Sequence, residues 1–90
     1  MSYKLTQIAP QGGESVKWYM SLPQAIHGAR LAAYATLEAF GKLDTQSAHD
    51  VMGAIAQASE DFTRFTVAKS RRIVISNTGY QLSIENTKRR

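Results

Sequence analysis

Any chemistry in this chain has to start from a few polar clusters. His49-Asp50 is the one place where a histidine adjoins a carboxylate, and Ser47 lies two residues earlier. Serine, histidine and carboxylate are the types that nucleophilic catalysis uses. The spacing does not serve it, because helix positions one or two apart do not face each other. Thr45-Gln46-Ser47-Ala48-His49-Asp50 reads instead as the polar first turn of a helix. Glu60-Asp61 pairs two carboxylates, but adjacent helical positions diverge by about 100° and cannot flank one bond as a hydrolase pair does. His27 and His49 are the only histidines and cysteine is absent, so a structural zinc lacks ligands. Antiparallel helices would set His27 near Phe62, away from His49. Gly12-Gly13 follows Pro10 and is turn chemistry. No phosphate-binding loop, dinucleotide fingerprint or nucleophile elbow is present. The expectation is a protein with no catalytic set, no metal and no cofactor, which acts by binding.

The elements that would position a binding surface are legible. Tyr3 and Leu5 alternate with Lys4 and Thr6, which predicts a short strand. Pro10-Gln11-Gly12-Gly13 is a turn. Val16, Trp18 and Met20 alternate with Lys17 and Tyr19, a second strand. Their shared face predicts Trp18 in the core and Tyr19 exposed on the other side. Ser21 is placed to cap a helix with Pro23 in its first turn. Pro23 to Phe40 is rich in Ala, Leu and Glu, with Ile26, Ala29, Ala33, Leu37 and Phe40 at helical spacing. Gly41 sits where a helix C-cap belongs. After the Asp44 cap, Ala48, Val51, Ile55, Ala58, Phe62 and Phe65 recur at three- and four-residue steps, which predicts a helix from about Thr45 to Val67 or beyond. The four-residue link Gly41–Asp44 makes the helices antiparallel neighbours. Gly53 inside the second helix suggests a closely approaching backbone. A dimer interface through Val51, Ile55, Ala58 and Phe62 follows as an expectation.

Ile73-Val74-Ile75 and Leu82-Ser83-Ile84 flank Asn77-Thr78-Gly79-Tyr80 and predict a hairpin, with Gly79 at positive φ. Setting Ser76 opposite Gln81, Ile75 opposite Leu82 and Ile73 opposite Ile84 puts all four large apolar residues on one face. The fold expected is therefore α+β, in the order ββααββ: a helical hairpin between two β-hairpins, with the helices on one face of a sheet. Residues 85–90 read as a basic tail.

Ninety residues make a single domain, 1–90, with a small core. Without disulfides or zinc, oligomerisation is the support that remains, and a homodimer is expected. No signal-like or membrane-length apolar run is visible, so the chain reads as cytoplasmic. Residues 1–61 carry four cations against six anions, whereas residues 62–90 carry seven cations against Glu85 alone. A basic C-terminal third suits an acidic protein surface or nucleic acid.

The residues singled out for partner binding are Tyr19, Arg64, Arg71, Arg72 and Tyr80, polar-tipped types favoured at interface hot spots. With its dense helical pair 23–40 and 45–67, its Ile73–Ile84 hairpin and its lack of motifs, the chain resembles the small accessory regulators of bacteriophages and prophages, antirepressors above all. The resemblance implies a homodimeric regulator in a bacterial host that binds a transcriptional repressor and stops it from reaching DNA. An anti-defence inhibitor would share this character. A small basic dimer that binds nucleic acid is the alternative from charge.

Overall fold

The computed structural model describes residues 3–43, 46–64, 70–75 and 78–87. Strands β1 (Tyr3–Ile8) and β2 (Glu14–Tyr19) precede helices α1 (Leu22–Ala39) and α2 (Gln46–Arg64). Strands β3 (Ser70–Val74) and β4 (Gln81–Asn86) follow. All four strands join one antiparallel sheet in the order β2-β1-β4-β3. The two hairpins are thus fused through the first and last strands, with Leu5 opposite Ile84. The α+β class and the ββααββ order are as expected.

Local chemistry accounts for the element ends. The β1–β2 turn closes when the Gly12 N–H donates to the Ala9 carbonyl at 2.9 Å, and Gly12 takes φ 100°. Ser21 caps α1, its Oγ accepting from the Gln24 N–H at 3.4 Å. At the other end the Lys42 N–H donates to the Leu37 carbonyl and the Gly41 N–H to the Glu38 carbonyl. With Gly41 at φ 68°, this is a Schellman motif, which satisfies carbonyls the last turn would leave bare. The expected cap Asp44, and Phe65 and Val67, expected at the end of the second helix, lie outside the described residues.

The core is one cluster between the helical pair and one face of the sheet. The small side chains of Ala25, Ala29 and Ala33 let α1 sit close, and Ile26 and Leu37 fill beside them. From the sheet come Leu5, Ile73, Ile75, Leu82 and Ile84. Thr36 and Thr78 are the buried polar side chains among the described residues, and both are bonded. The Thr36 hydroxyl donates to the Ala32 carbonyl and accepts from Gln7 Nε2. Thr78 Oγ1 donates to the Ile75 carbonyl at 2.7 Å.

The structure corrects four expectations. Val51, Ile55, Ala58 and Phe62 are buried in the chain's own core, at 1%, 0%, 4% and 7% exposure. They pack on the sheet and on α1, so they leave no apolar seam for a second copy. Gly53 is exposed, and a β-carbon there would meet nothing within 4 Å, so among the described residues no backbone outside its own helix approaches it. The C-terminal hairpin is paired two residues away from the expected register, with Ile73 opposite Leu82 and Arg71 opposite Ile84. Its loop is wider because the Ile75 N–H donates to the Tyr80 carbonyl, while both the N–H and the hydroxyl of Thr78 bond the Ile75 carbonyl. A slip of two preserves the buried face, as the period of a strand requires. Finally, β4 runs on through Asn86, which stands opposite Tyr3, so Glu85 and Asn86 belong to the sheet and not to a tail.

Candidate docking face

Two helices cover one side of the sheet, and among the described residues nothing covers the other. Strand alternation and register decide which residues lie there. Leu5 is buried against the helices, and Lys17 stands opposite it, so Lys17 and Tyr19 share the helix-facing side. Trp18 stands opposite Lys4 on the open side, with Val16 opposite Thr6 and Glu14 opposite Ile8. The open face continues through Gln81, Ser83 and Glu85 of β4 to Val74, Arg72 and Ser70 of β3.

This reverses the expectation for β2. Trp18 is 49% exposed, Val16 43% and Met20 71%, although their alternation pointed to the core. Tyr19, expected on the surface, is half-buried and packs against the core cluster. The cause is the register with β1, which the alternation of one strand cannot reveal.

Across the open face, the centre is polar and the ends are apolar. Thr6 and Ser83 are neighbours in the middle. Val16 and Trp18 lie on the edge strand β2, with Met20 just beyond it, and Val74 lies on the opposite edge. The Lys4 ammonium sits 5.7 Å from the Trp18 ring centroid, a cation–π distance. Arg72 Nη1 donates to Gln81 Oε1 at 3.3 Å, on the same face. Among the described residues two cations, Lys4 and Arg72, are matched there by two anions, Glu14 and Glu85.

The residues singled out from sequence do not converge. Arg72 is on the open face. Arg71, its neighbour, points to the helix side and donates from Nε to Asp61 Oδ2 of α2 at 3.1 Å. Arg64 is exposed and pairs with Glu60 one turn earlier at 3.5 Å. Tyr80 is half-buried, its ring edge-on to Phe40 with centroids 6.1 Å apart. Arg64 and Arg71 both act on Asp61, whose carboxyl is held below its usual value first by the Arg71 hydrogen bond and then by one from Gln57. Sequence reasoning set Val74 on the face away from the buried residues, as observed, but it did not single out Lys4, and it placed Trp18, on one face with Val16 and Met20, in the core.

On the helix side, a cleft of about 270 Å³ opens where α1 leaves β2 partly uncovered. Gln7, Lys17 and Tyr19 face Gly28, Leu31 and Ala35 across it. His27 and His49 are both exposed. Among the described residues, no three His, Asp or Glu side chains group as metal ligands, and no helix is long and apolar enough to cross a membrane. Comparison with protein-family models, curated proteins and solved structures found no match to this chain.

Proposed function

We propose that this is a non-enzymatic binding protein that engages a protein partner through the open face of its sheet. The observation that carries the reading is the composition of that face. An exposed tryptophan with Val16 and Met20 beside it, and Val74 exposed on the far edge, is the apolar, aromatic surface that protein interfaces use. Its charges balance, Lys4 and Arg72 against Glu14 and Glu85. A polyanion laid across it would meet two carboxylates, whereas a protein surface can complement both signs. The resemblance to phage antirepressors makes a transcriptional repressor the first partner to try. An inhibitor of host defence, again acting by occupying a protein surface, belongs to the same reading.

A second reading, single-stranded nucleic acid, draws on Trp18 as a stacking ring beside the Lys4 ammonium. It also draws on the basic C-terminal sequence, of which Lys69 and Lys88-Arg89-Arg90 lie outside the described residues. Affinity capture from a bacterial lysate, with and without nuclease, separates the two. A stoichiometric protein that survives nuclease is the outcome expected. Recovery that vanishes with nuclease and falls steeply with salt contradicts the protein-partner reading and favours the second.

A further inference from the structure

Apart from Ile8 on β1, the apolar residues of the open face lie at its edges. They concentrate on β2, an edge strand whose one strand neighbour among the described residues is β1. Its six residues contain no proline, so its outer backbone groups form a template for another strand. The opposite edge differs in the sign of its charges: β3 carries two like charges, Arg71 and Arg72, side by side, whereas the two charges of β2, Glu14 and Lys17, are opposite.

The sequence of β2 can pair with itself. Two copies related by a two-fold axis normal to the sheet keep their helices on one side, and opposed residues must then share a face. Three registers pair five or more of residues 14–20. Centring on Lys17 sets two ammonium groups opposite each other. Centring on Val16 sets each Trp18 against Glu14 of the other copy. Centring on Trp18 pairs Trp18 with Trp18, Val16 with Met20 and Lys17 with Tyr19. In that register the apolar open-side groups of residues 16–20 meet one another, and neither lysine meets a like charge. A directly opposed aromatic pair adds to strand pairing.

We infer that two copies of this chain join through the outer edge of β2, centred on Trp18, to form a continuous eight-stranded sheet. This interface replaces the one expected on α2, whose apolar residues are already buried. It does not depend on the partner proposed for the open face, because it forms in the purified protein. A contact of five residues a side, 16–20, with Met20 just past the strand, is small and of the weak class, so association belongs in a range of roughly 1–500 μM.

Sedimentation equilibrium across that range, at ~0.15 M salt to screen the net charge, should show the mass rising toward twice the 10.0 kDa of the chain. The emission of Trp18, the sole tryptophan, should shift over the same concentrations. Trp18→Glu should weaken association roughly tenfold or more with its far-UV spectrum and melting curve retained, since it opposes two carboxylates at the axis. Val74→Glu, on the other edge, should leave association unchanged. The chain has no native cysteine, so single cysteines report the register. Trp18→Cys should cross-link to its counterpart under mild oxidation. Val16→Cys should not, because its counterpart lies roughly 14 Å away, beyond the ~7 Å limit for a disulfide. A wild-type mass that stays at one chain throughout overturns the inference, as does cross-linking at Val16 in place of Trp18.

Discussion

The ring of Tyr19 lies across Gly28, in the space that a β-carbon on Gly28 would occupy. This contact ties β2 to α1 and explains why a strand that exposes Trp18 still anchors its last residue in the core. Gly53 of α2 is the contrast, with open space where its β-carbon would be. Gly53→Ala should therefore gain most of the ~1 kcal/mol helix advantage of alanine, raising the melting temperature. Gly28→Ala should lose that gain, because Tyr19 must move aside. Thermal melts of the two variants check this, and equal stabilisation by both would refute the packing of Tyr19.

Ile55 is fully buried between α2 and the sheet. Ile55→Asp places a carboxylate there without a partner, and should destabilise the fold by about 4 kcal/mol or more. Loss of the cooperative denaturation transition is the expected result. An unchanged melting curve would mean that α2 does not bury this side.

Asp61 should leave a mark on the acid limb of stability. Its folded pKa lies below the ordinary aspartate value because Arg71 and Gln57 hydrogen-bond the carboxylate. A lowered folded pKa contributes stability that is complete above the unfolded value and is lost as pH falls through the folded one. Asp61→Asn should lower the melting temperature slightly at pH 7. It should also reduce the decline below about pH 4. The group is solvent-screened, so the change is small, and a variant whose acid limb matches wild type would show that the Arg71 contact is idle.

Adjacent arginines should separate in their effects. Arg71 bonds α2 through Asp61, while Arg72 lies on the open face. Arg71→Ala should lower thermal stability and leave partner capture intact. Arg72→Ala should keep the melting curve and weaken capture, by about 1 kcal/mol or more if it is a hot spot. The reverse assignment would place the partner on the helix side. Adjacency in the chain invites reading the two as one basic site, but their alternation on β3 sends them to opposite faces.

Periodicity and capping made both helices legible, including Ser21 at the start of α1 and Gly41 at its end. They did so because helix signals are local in the chain. Strand signals are not. The alternation of Val16, Trp18 and Met20 announced a strand with one apolar side, but only the pairing of Leu5 with Lys17 determines that this side is bare. The C-terminal hairpin shows the same limit, since its pattern identified the buried face and left a two-residue slip undetermined. Which strands are central is also a long-range property. Glu85 and Asn86 read as the start of a tail because nothing local to them signals that β4 pairs with β1 across the length of the chain. The candidate docking face was therefore legible in its residue types and not in its assembly.

Ser83, half-buried at the centre of the open face and away from β2, gives the most direct test of the docking proposal. Ser83→Arg should retain the fold and the self-association through β2, yet obstruct any partner laid across the sheet. The measurement is capture of a nuclease-resistant protein partner from lysate by wild type and by Ser83→Arg, side by side. The account predicts that the partner is recovered with wild type and lost with the folded variant. Equal recovery by both would contradict the assignment of the open face as the binding surface.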